Sequence, residues 1–132
     1  MRKVVVLACI LSLLIPVAVL VGCGGSAQTP AQVTEAFFAA LKKRDVNTTW
    51  NMMAAASRQQ VGSKSTWESA LKDPSTAIGD IKVKLGKTTV NDNNATVEVT
   101  STTGGKASTE TVPLVKENGV WKVDIAKSSA AQ

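Results

Sequence analysis

Residues 81–99 read IKVKLGKTTVNDNNATVEV, and this stretch decides the fold class. Apolar residues alternate with lysines at 81–85 and with polar residues at 95–99, and this period of two is typical of half-buried strands. Gly86 predicts a bulge in the first strand, and the polar run at 92–94 predicts the turn between the two strands. Two strands joined by so short a turn indicate an antiparallel sheet.

Two more strands are predicted downstream, at residues 106–115 and 120–126, after a turn at 104–105. Four strands that follow one another along the chain predict an antiparallel meander. Because short connections join neighbouring strands, we expect the strand order in the sheet to equal the order in the sequence.

The loop of the last hairpin sets its register. A two-residue loop at 118–119 would place Pro113 opposite Asp124 at a hydrogen-bonded position, where the missing N–H of proline is unfavourable. A three-residue loop at 117–119, with a left-handed glycine, would place Pro113 opposite Val123 instead. We expect the second register, with a bulge or an open edge on the other side of Pro113.

Upstream of the strands the apolar period is that of a helix. Thr29 and Gln32 form a capping box around Pro30, which suits the first helical position. The apolar stripe of this first helix consists of Val33, Phe37, Ala40 and Leu41. The basic run at 42–44 is interpreted as cations at the C-terminal end of the helix dipole rather than as a binding site.

Two further helices are predicted before the sheet. The second is capped by Asp45 or Asn47 and ends at Gly62. The third begins with a capping box of Ser65 and Glu68 and ends at the next proline. Helices followed by strands define the α+β class, with the N-terminal helices packed on a curved four-stranded antiparallel sheet.

A leader precedes the first helix. Arg2 and Lys3 are followed by an apolar run at 4–21, and residues 20–23 read LVGC. A basic start, an apolar stretch and a small-residue junction indicate an export signal. The junction resembles a bacterial lipobox. This resemblance implies cleavage before Cys23 and a diacylglyceryl thioether on Cys23, which would anchor the protein by its acyl chains on the extracytoplasmic side of the bacterial cell membrane.

Two other interpretations of the leader stay open. The 18-residue apolar run could remain as an uncleaved anchor, or the leader could be an ordinary secretory signal in which Cys23 is incidental. As a lipoprotein, the chain has a signal peptide at 1–22 and a small, polar, lipidated tether at 23–28. Loss of the two leader cations lowers the net charge from +5 to +3, so nucleic acid is not an expected partner.

Several motifs together resemble one family. They are Thr29-Pro30 before an amphipathic helix with Phe37-Phe38, a following helix with Asp45 and Trp50, and the closing KENGVWKV at 116–123. The chain is similar in these motifs to small bacterial lipoproteins with a nuclear transport factor 2-like (cystatin-like) domain, many of which have no assigned function. The resemblance implies a domain at 29–127, in which a curved sheet wraps a long first helix as a cone and often leaves a pocket. Residues 128–132 are then expected to be a disordered tail.

The sequence contains few of the residue types that are common in catalytic sites. It has no His and no Tyr, and its two Cys are Cys9 in the leader and Cys23 at the lipobox. Enzymes with the fold that the resemblance implies place an Asp, Tyr or His in the pocket, and this chain lacks two of the three residue types. The candidate acid or base groups are the carboxylates of Glu35, Asp45, Glu68, Asp80, Glu98 and Asp124. Helical carboxylates have capping or dipole roles, and those of the strands are expected to face water, so we predict no catalytic residue, no metal site and no cofactor.

The large apolar side chains are expected mainly in the core. The preferred hairpin register sets Val115 against Trp121, which we expect to be largely buried. Phe38 lies off the main stripe, and together with Met52 and Met53 it is predicted to line a pocket or a contact surface.

Three functions from different classes are compatible with these observations. The sequence favours a membrane-anchored, non-catalytic module that binds a protein of the cell envelope. The alternative is a carrier or sensor of a small apolar ligand in the cone pocket. The third is an enzyme that uses carboxylates alone.

Overall fold

The computed structural model describes residues 27–130. The predicted signal peptide and Cys23 lie outside the described residues, as do 131–132 at the end of the predicted tail. Four helices precede the sheet: α1 (Pro30–Lys42), α2 (Val46–Met52), α3 (Ala55–Val61) and α4 (Lys64–Lys72). The strands are β1 (Lys82–Asn91), β2 (Asn94–Thr103), β3 (Lys106–Glu117) and β4 (Val120–Val123), and a short helix α5 (Ile125–Ala130) follows them.

The strands form one antiparallel sheet in the order β1-β2-β3-β4, as predicted. The helices before the sheet cover one of its faces, and the α+β class is confirmed. The core between the two layers is formed by buried residues of α1, of the link after α2 and of β2, β3 and β4: Val33, Phe37, Met53, Ala95, Val97, Val99, Leu114, Trp121 and Val123.

The first helix begins where the sequence predicts. The Thr29 hydroxyl accepts a hydrogen bond from the backbone N–H of Gln32 at 3.2 Å, and the Gln32 side chain accepts from the N–H of Thr29 at 2.9 Å. This reciprocal pair satisfies two of the N–H groups that a helix start leaves without a partner. The predicted capping box is therefore confirmed.

The predicted second helix is wrong in its length, because the chain breaks it at Met53 and Ala54. The backbone N–H of Ala54 donates to the carbonyl oxygen of Val123 at 2.8 Å, and Met53 forms a parallel bridge with the same residue. Alanine-rich sequence favours a continuous helix, but this pairing with β4 overrides local propensity. The third predicted helix also starts differently, since Ser63 and not Ser65 caps α4.

The bulge at Gly86 is confirmed. The β1–β2 register shifts between Leu85 and Thr88, where two residues of β1 face one residue of β2. A Cβ atom at Gly86 would lie 2.9 Å from Oε1 of Glu98, so a larger residue at this position would have to displace the Glu98 side chain. Glu98 itself is exposed, as expected.

The expected register of the last hairpin is wrong. Glu117 pairs with Val120 across a two-residue Asn118-Gly119 loop, and Lys116 rather than Val115 lies opposite Trp121. The N–H of Asp124 donates to the Pro113 carbonyl oxygen at 2.9 Å. The side of Pro113 that carries the carbonyl oxygen and lacks an N–H therefore faces Asp124, the first residue after β4.

On the other side of Pro113 the expected bulge or open edge is absent. Pro113 pairs with Thr96 in an unbroken β2–β3 register. A strand residue points its N–H and C=O to the same neighbour, so the side of Pro113 that faces β2 needs no donor.

The end of the chain also differs from the prediction. Residues 124–126 were expected in the last strand and 128–130 in a disordered tail, but α5 occupies 125–130. Asp124 Oδ1 accepts the N–H of Lys127 at 3.4 Å, which is the contact of a helix-capping residue. The last strand therefore ends at Val123, directly before the Asp124 side chain that caps α5.

Candidate functional site

A half-open groove of about 420 Å³ lies between α1 and the edge strand β1. Its apolar wall consists of Phe38 and Ala39 from the helix and of Val83 and Leu85 from the strand. Two exposed charged residues of the helix, Glu35 and Lys42, complete the lining and lie about two turns apart. The groove is thus an apolar trough with one charge of each sign at its border.

A second groove, of about 250 Å³, lies on the other side of Phe38. Besides Phe38, it is lined by residues of α1, β3, β4 and α5: Phe37, Glu110, Val112, Pro113, Val123, Ile125 and Ser128. The rings of Phe37 and Phe38 meet edge to face with their centroids 6.1 Å apart. Phe37 is buried, and half-buried Phe38 separates the two grooves.

The residues predicted to line a pocket do not come together. Phe38 lines both grooves, whereas Met52 lies in α2, half-buried and packed against the core. Met53 is fully buried in the core, so its predicted place on a pocket or contact surface is wrong. The bridge from Met53 to Val123 draws it inward.

Three carboxylates of the helical region accept hydrogen bonds that lower their pKa. The backbone N–H and then the hydroxyl of Thr48 lower the pKa of Asp45, the N-cap of α2. A hydrogen bond from the Lys72 ammonium lowers the pKa of Glu68. The hydroxyl and then the N–H of Ser75 lower the pKa of Asp73. Because all three groups are stabilised as anions by neighbours in the chain, their roles are those of caps, turns and a surface pair.

Asp124 was expected to face water, and this prediction is wrong because the residue is 3% exposed. The Ser57 hydroxyl donates to its Oδ1 at 3.3 Å, and Lys127 Nζ lies 3.7 Å from its Oδ2. Ser57 is itself fully buried and accepts the N–H of Ala126 at 3.4 Å. This polar cluster joins α3 to the start of α5, and neither groove is lined by its carboxylate.

The remaining carboxylates considered from the sequence are exposed. Glu35 borders the larger groove, and Asp80 lies in the connection ahead of β1. Within residues 27–130 no three His, Cys, Asp or Glu side chains form a group that could hold a metal ion. In the same part of the chain no helix has the length and apolar character needed to cross a membrane.

Arg44 has a role that the sequence did not indicate. Its guanidinium donates to the carbonyl oxygens of Leu71, Asp73 (3.2 Å) and Thr76 (3.1 Å), and its backbone φ is 53°. The contacts hold the end of α4 and the loop after it, instead of stabilising the end of α1 as interpreted from the basic run. A charge run carries no signal for carbonyl groups that lie 27 to 32 residues away.

Solved structures with this arrangement share the fold at low sequence identity. A Campylobacter jejuni protein described as a nuclear transport factor 2-like transpeptidase aligns with a TM-score of 0.57 and 15% identity, over 74% of this chain and 98% of that one. A Thiobacillus denitrificans protein described as a calcium/calmodulin-dependent protein kinase type II association domain aligns with a TM-score of 0.54 and 18% identity, over 75% and 92%. A nuclear transport factor 2-like protein of unknown function from Silicibacter pomeroyi aligns at 0.52 and 13%, over 70% and 85%.

The helices and the curved antiparallel sheet therefore define a nuclear transport factor 2-like α+β domain. The family described as Domain of unknown function (DUF4878) matches residues 21–124, and the chain belongs to this family. No curated protein matches the sequence.

Proposed function

We propose that this protein is a bacterial lipoprotein, anchored by acyl chains on Cys23 at the extracytoplasmic side of the membrane, whose domain is a non-catalytic module for binding a protein partner. The open groove between α1 and β1 is the observation that carries the binding role. A closed cavity would suit a small ligand, whereas a half-open trough with a free edge strand as one wall admits a polypeptide.

The leader supports the anchoring role. Arg2 and Lys3, the apolar run and the LVGC junction have the order of a lipoprotein export signal. From Cys23 to Pro30 the chain can extend by no more than about 25 Å. Anchored in this way, the domain and its groove would stay within reach of other proteins at the membrane surface.

The composition of the groove supports binding over catalysis. Its charged residues, Glu35 and Lys42, are both exposed and belong to one helix. The buried carboxylate of Asp124 is engaged with Ser57 and Lys127 outside the groove. An acid or base in a dry pocket, which catalysis by carboxylates requires, has no representative among the lining residues. A carboxylate-based enzyme stays the remote alternative.

A small apolar ligand is the second candidate. The volume of about 420 Å³ falls in the range of small-molecule sites, and aromatic Phe38 with aliphatic Val83 and Leu85 provides an apolar wall. This function predicts that the purified protein retains a small molecule, detectable by native mass spectrometry. It also predicts that Phe38→Asp abolishes this retention.

Metabolic labelling with a fatty-acid analogue tests the anchor. Wild type should be labelled and Cys23→Ser should not. Cys9→Ser is the matched control and should be labelled like wild type, because Cys9 lies in the apolar run that processing removes. Equal labelling of wild type and Cys23→Ser would refute lipidation at Cys23.

Site-specific photo-crosslinking in the native bacterium tests the groove. A photoreactive residue at Ala39, exposed in the groove, should yield a protein adduct of defined mass, and one at exposed Val120 on β4 should not. Phe38→Asp should abolish the Ala39 adduct while the protein level is unchanged. An adduct that forms equally at both positions, or that survives Phe38→Asp, contradicts the proposed site.

A further inference from the structure

The edge strand β1 is open along one side. Its single neighbour in the sheet is β2, and no other strand within residues 27–130 pairs with it. An edge strand presents a row of backbone N–H and C=O groups that an incoming extended chain can pair with. Because β1 also forms one wall of the larger groove, its free side and the apolar trough are adjacent.

The side chains of β1 divide between two environments. Val83 and Leu85 are half-buried and line the groove, whereas Lys82 and Lys84 are exposed on the opposite face. A strand added beside β1 would have the same alternation, because successive side chains point to opposite faces. Its alternate residues would then contact the apolar trough, and those between would lie beside the lysines.

The exposed lysines of β1 have no acidic partner in the structure. The ion pairs within residues 27–130 are Lys72–Glu68 and Lys127–Asp124, and neither involves β1. The residues of β2 opposite Lys82 and Lys84 are Thr102 and Thr100, which are uncharged. Glu98 of β2 lies on the same face at the bulge, so the two lysines leave this edge with a net positive charge that an acidic strand would neutralise.

We propose that β1 binds a partner protein by strand addition, and that the partner contributes an extended segment in which acidic residues alternate with apolar ones. This inference rests on the proposed protein-binding function and names the class of segment that the groove would take. Main-chain pairing supplies affinity, and the alternation supplies specificity: apolar side chains contact Phe38, Val83 and Leu85, and acidic ones face Lys82 and Lys84.

The bulge limits the length of the added strand. The first regular stretch of β1 ends at Leu85, because the register shift at 86–87 bends the strand before pairing with β2 resumes at Thr88. The four residues from Lys82 to Leu85 span about 13 Å, so they accommodate a core of four or five partner residues. A segment this short suits a weak, reversible contact at a membrane surface.

A second copy of this chain is a poor occupant of the same edge. Pairing of two β1 strands would bring the lysines of both copies together, and like charges on adjacent strands are destabilising. An anionic lipid surface would neutralise the lysines, but it would neither form backbone hydrogen bonds nor fill the apolar trough. The alternation of apolar and basic residues along a free edge favours a polypeptide.

Fluorescence anisotropy with a labelled DVDLDVD peptide tests the proposal on the full chain in detergent micelles. The peptide should bind, and Lys84→Glu should weaken binding roughly three- to tenfold because attraction becomes repulsion. Lys106→Glu is the matched control, since Lys106 is exposed and starts β3, and it should bind like wild type. Hydrogen exchange should slow at residues 82–85 when the peptide is bound.

Two control peptides separate strand addition from simple charge attraction. DDDDVLV has the same composition without alternation, and DVDLDVD with alternate backbone N-methyl groups cannot donate to β1; both should bind much more weakly. Equal binding of all three peptides, no binding of DVDLDVD at millimolar concentration, or protection outside 82–85 overturns the proposal. Binding of anionic vesicles with the same dependence on Lys84 and no peptide binding also overturns it.

The two proposals can fail separately. If the Ala39 crosslink depends on Phe38 but DVDLDVD does not bind, the groove binds a protein in another way and only strand addition is wrong. If Lys84→Glu leaves the Ala39 crosslink intact, recognition of acidic residues by the lysines of β1 is wrong, while the protein-binding function of the groove stands. If the photoreactive residue at Ala39 gives no protein adduct in the otherwise wild-type chain, the proposed protein-binding function is wrong as well.

Discussion

The Ser57 hydroxyl and the Asp124 carboxylate lie 3.3 Å apart in the interior, although 67 residues separate them in the sequence. Ser57 belongs to α3 and Asp124 precedes α5, so their hydrogen bond joins the helical layer to the end of the sheet. The Asp124 backbone completes the junction by donating to Pro113 at 2.9 Å. Asp124 therefore fixes the end of β4 in two ways, because its side chain contacts α3 and its backbone N–H contacts β3.

Removing the Asp124 side chain should destabilise the domain. Asp124→Ala loses the cap of α5 and the contacts with Ser57 and Lys127, and we expect a loss of about 1–3 kcal/mol in the free energy of unfolding. Asp124→Asn retains a capping oxygen and should lose less. Urea unfolding followed by tryptophan fluorescence measures both, and the amide variant being the less stable of the two would contradict the capping role.

Trp121 should contribute strongly to the core. It is 7% exposed, and Lys116 Nζ lies 5.4 Å from its ring centroid on the side toward β3. Trp121→Ala should cost about 3–5 kcal/mol, as is usual for a buried aromatic residue. The matched control is the neighbouring Val120→Ala, which changes a residue that is 52% exposed and should cost much less. Similar denaturation midpoints for the two variants would contradict the observed faces of β4.

Arg44 should determine the order of the loop after α4. Arg44→Lys keeps the charge but cannot form the three-carbonyl contact, so hydrogen exchange should accelerate at residues 71–76 while α1 and α2 change little. We expect a stability loss of about 1–2 kcal/mol, because the guanidinium is only partly buried. Lys43→Ala, at the exposed neighbour, is the control and should leave exchange in the loop unchanged.

Stability should fall in acid through the capping carboxylate of Asp45. The Thr48 hydrogen bonds lower the pKa of Asp45 from its ordinary value of 3.8, so the folded state holds the anion more firmly than the unfolded state does. This stability is present above pH 3.8 and is lost as the pH falls through the lower folded pKa. Asp45→Asn should flatten part of the decline in melting temperature between about pH 5 and pH 2. A decline as steep as that of wild type would contradict the contribution of Asp45.

Local signals predicted the parts of the fold that depend on local contacts. The Thr29 cap and the Gly86 bulge are decided by neighbouring residues or an adjacent strand, and both are confirmed. The break at Ala54 is decided by its hydrogen bond to Val123, and the burial of Asp124 by its contact with Ser57. Sequence periodicity contains no information on such pairings. It therefore predicts a second helix that is too long and an Asp124 carboxylate that faces water.

The candidate groove was predictable only in part. The position of Phe38 off the apolar stripe predicts a place in a pocket or contact surface, and the alternation of Val83 and Leu85 with lysines predicts a strand. The sequence pattern does not show that this strand forms the edge of the sheet or that it lies beside α1. Strand order and helix position together create the trough, and they follow from packing of the whole domain.

Amide and charge substitutions should separate a binding role from a catalytic one. Asp80→Asn removes an exposed carboxylate outside both grooves without changing size, and it should leave complementation of a deletion strain intact. Phe38→Asp should abolish complementation, because it places a charge between the two grooves. Val90→Asp is its control, since Val90 is 55% exposed and lines neither groove. Loss of complementation by Asp80→Asn, in a protein that is folded and present at normal levels, would favour an enzyme that uses that carboxylate.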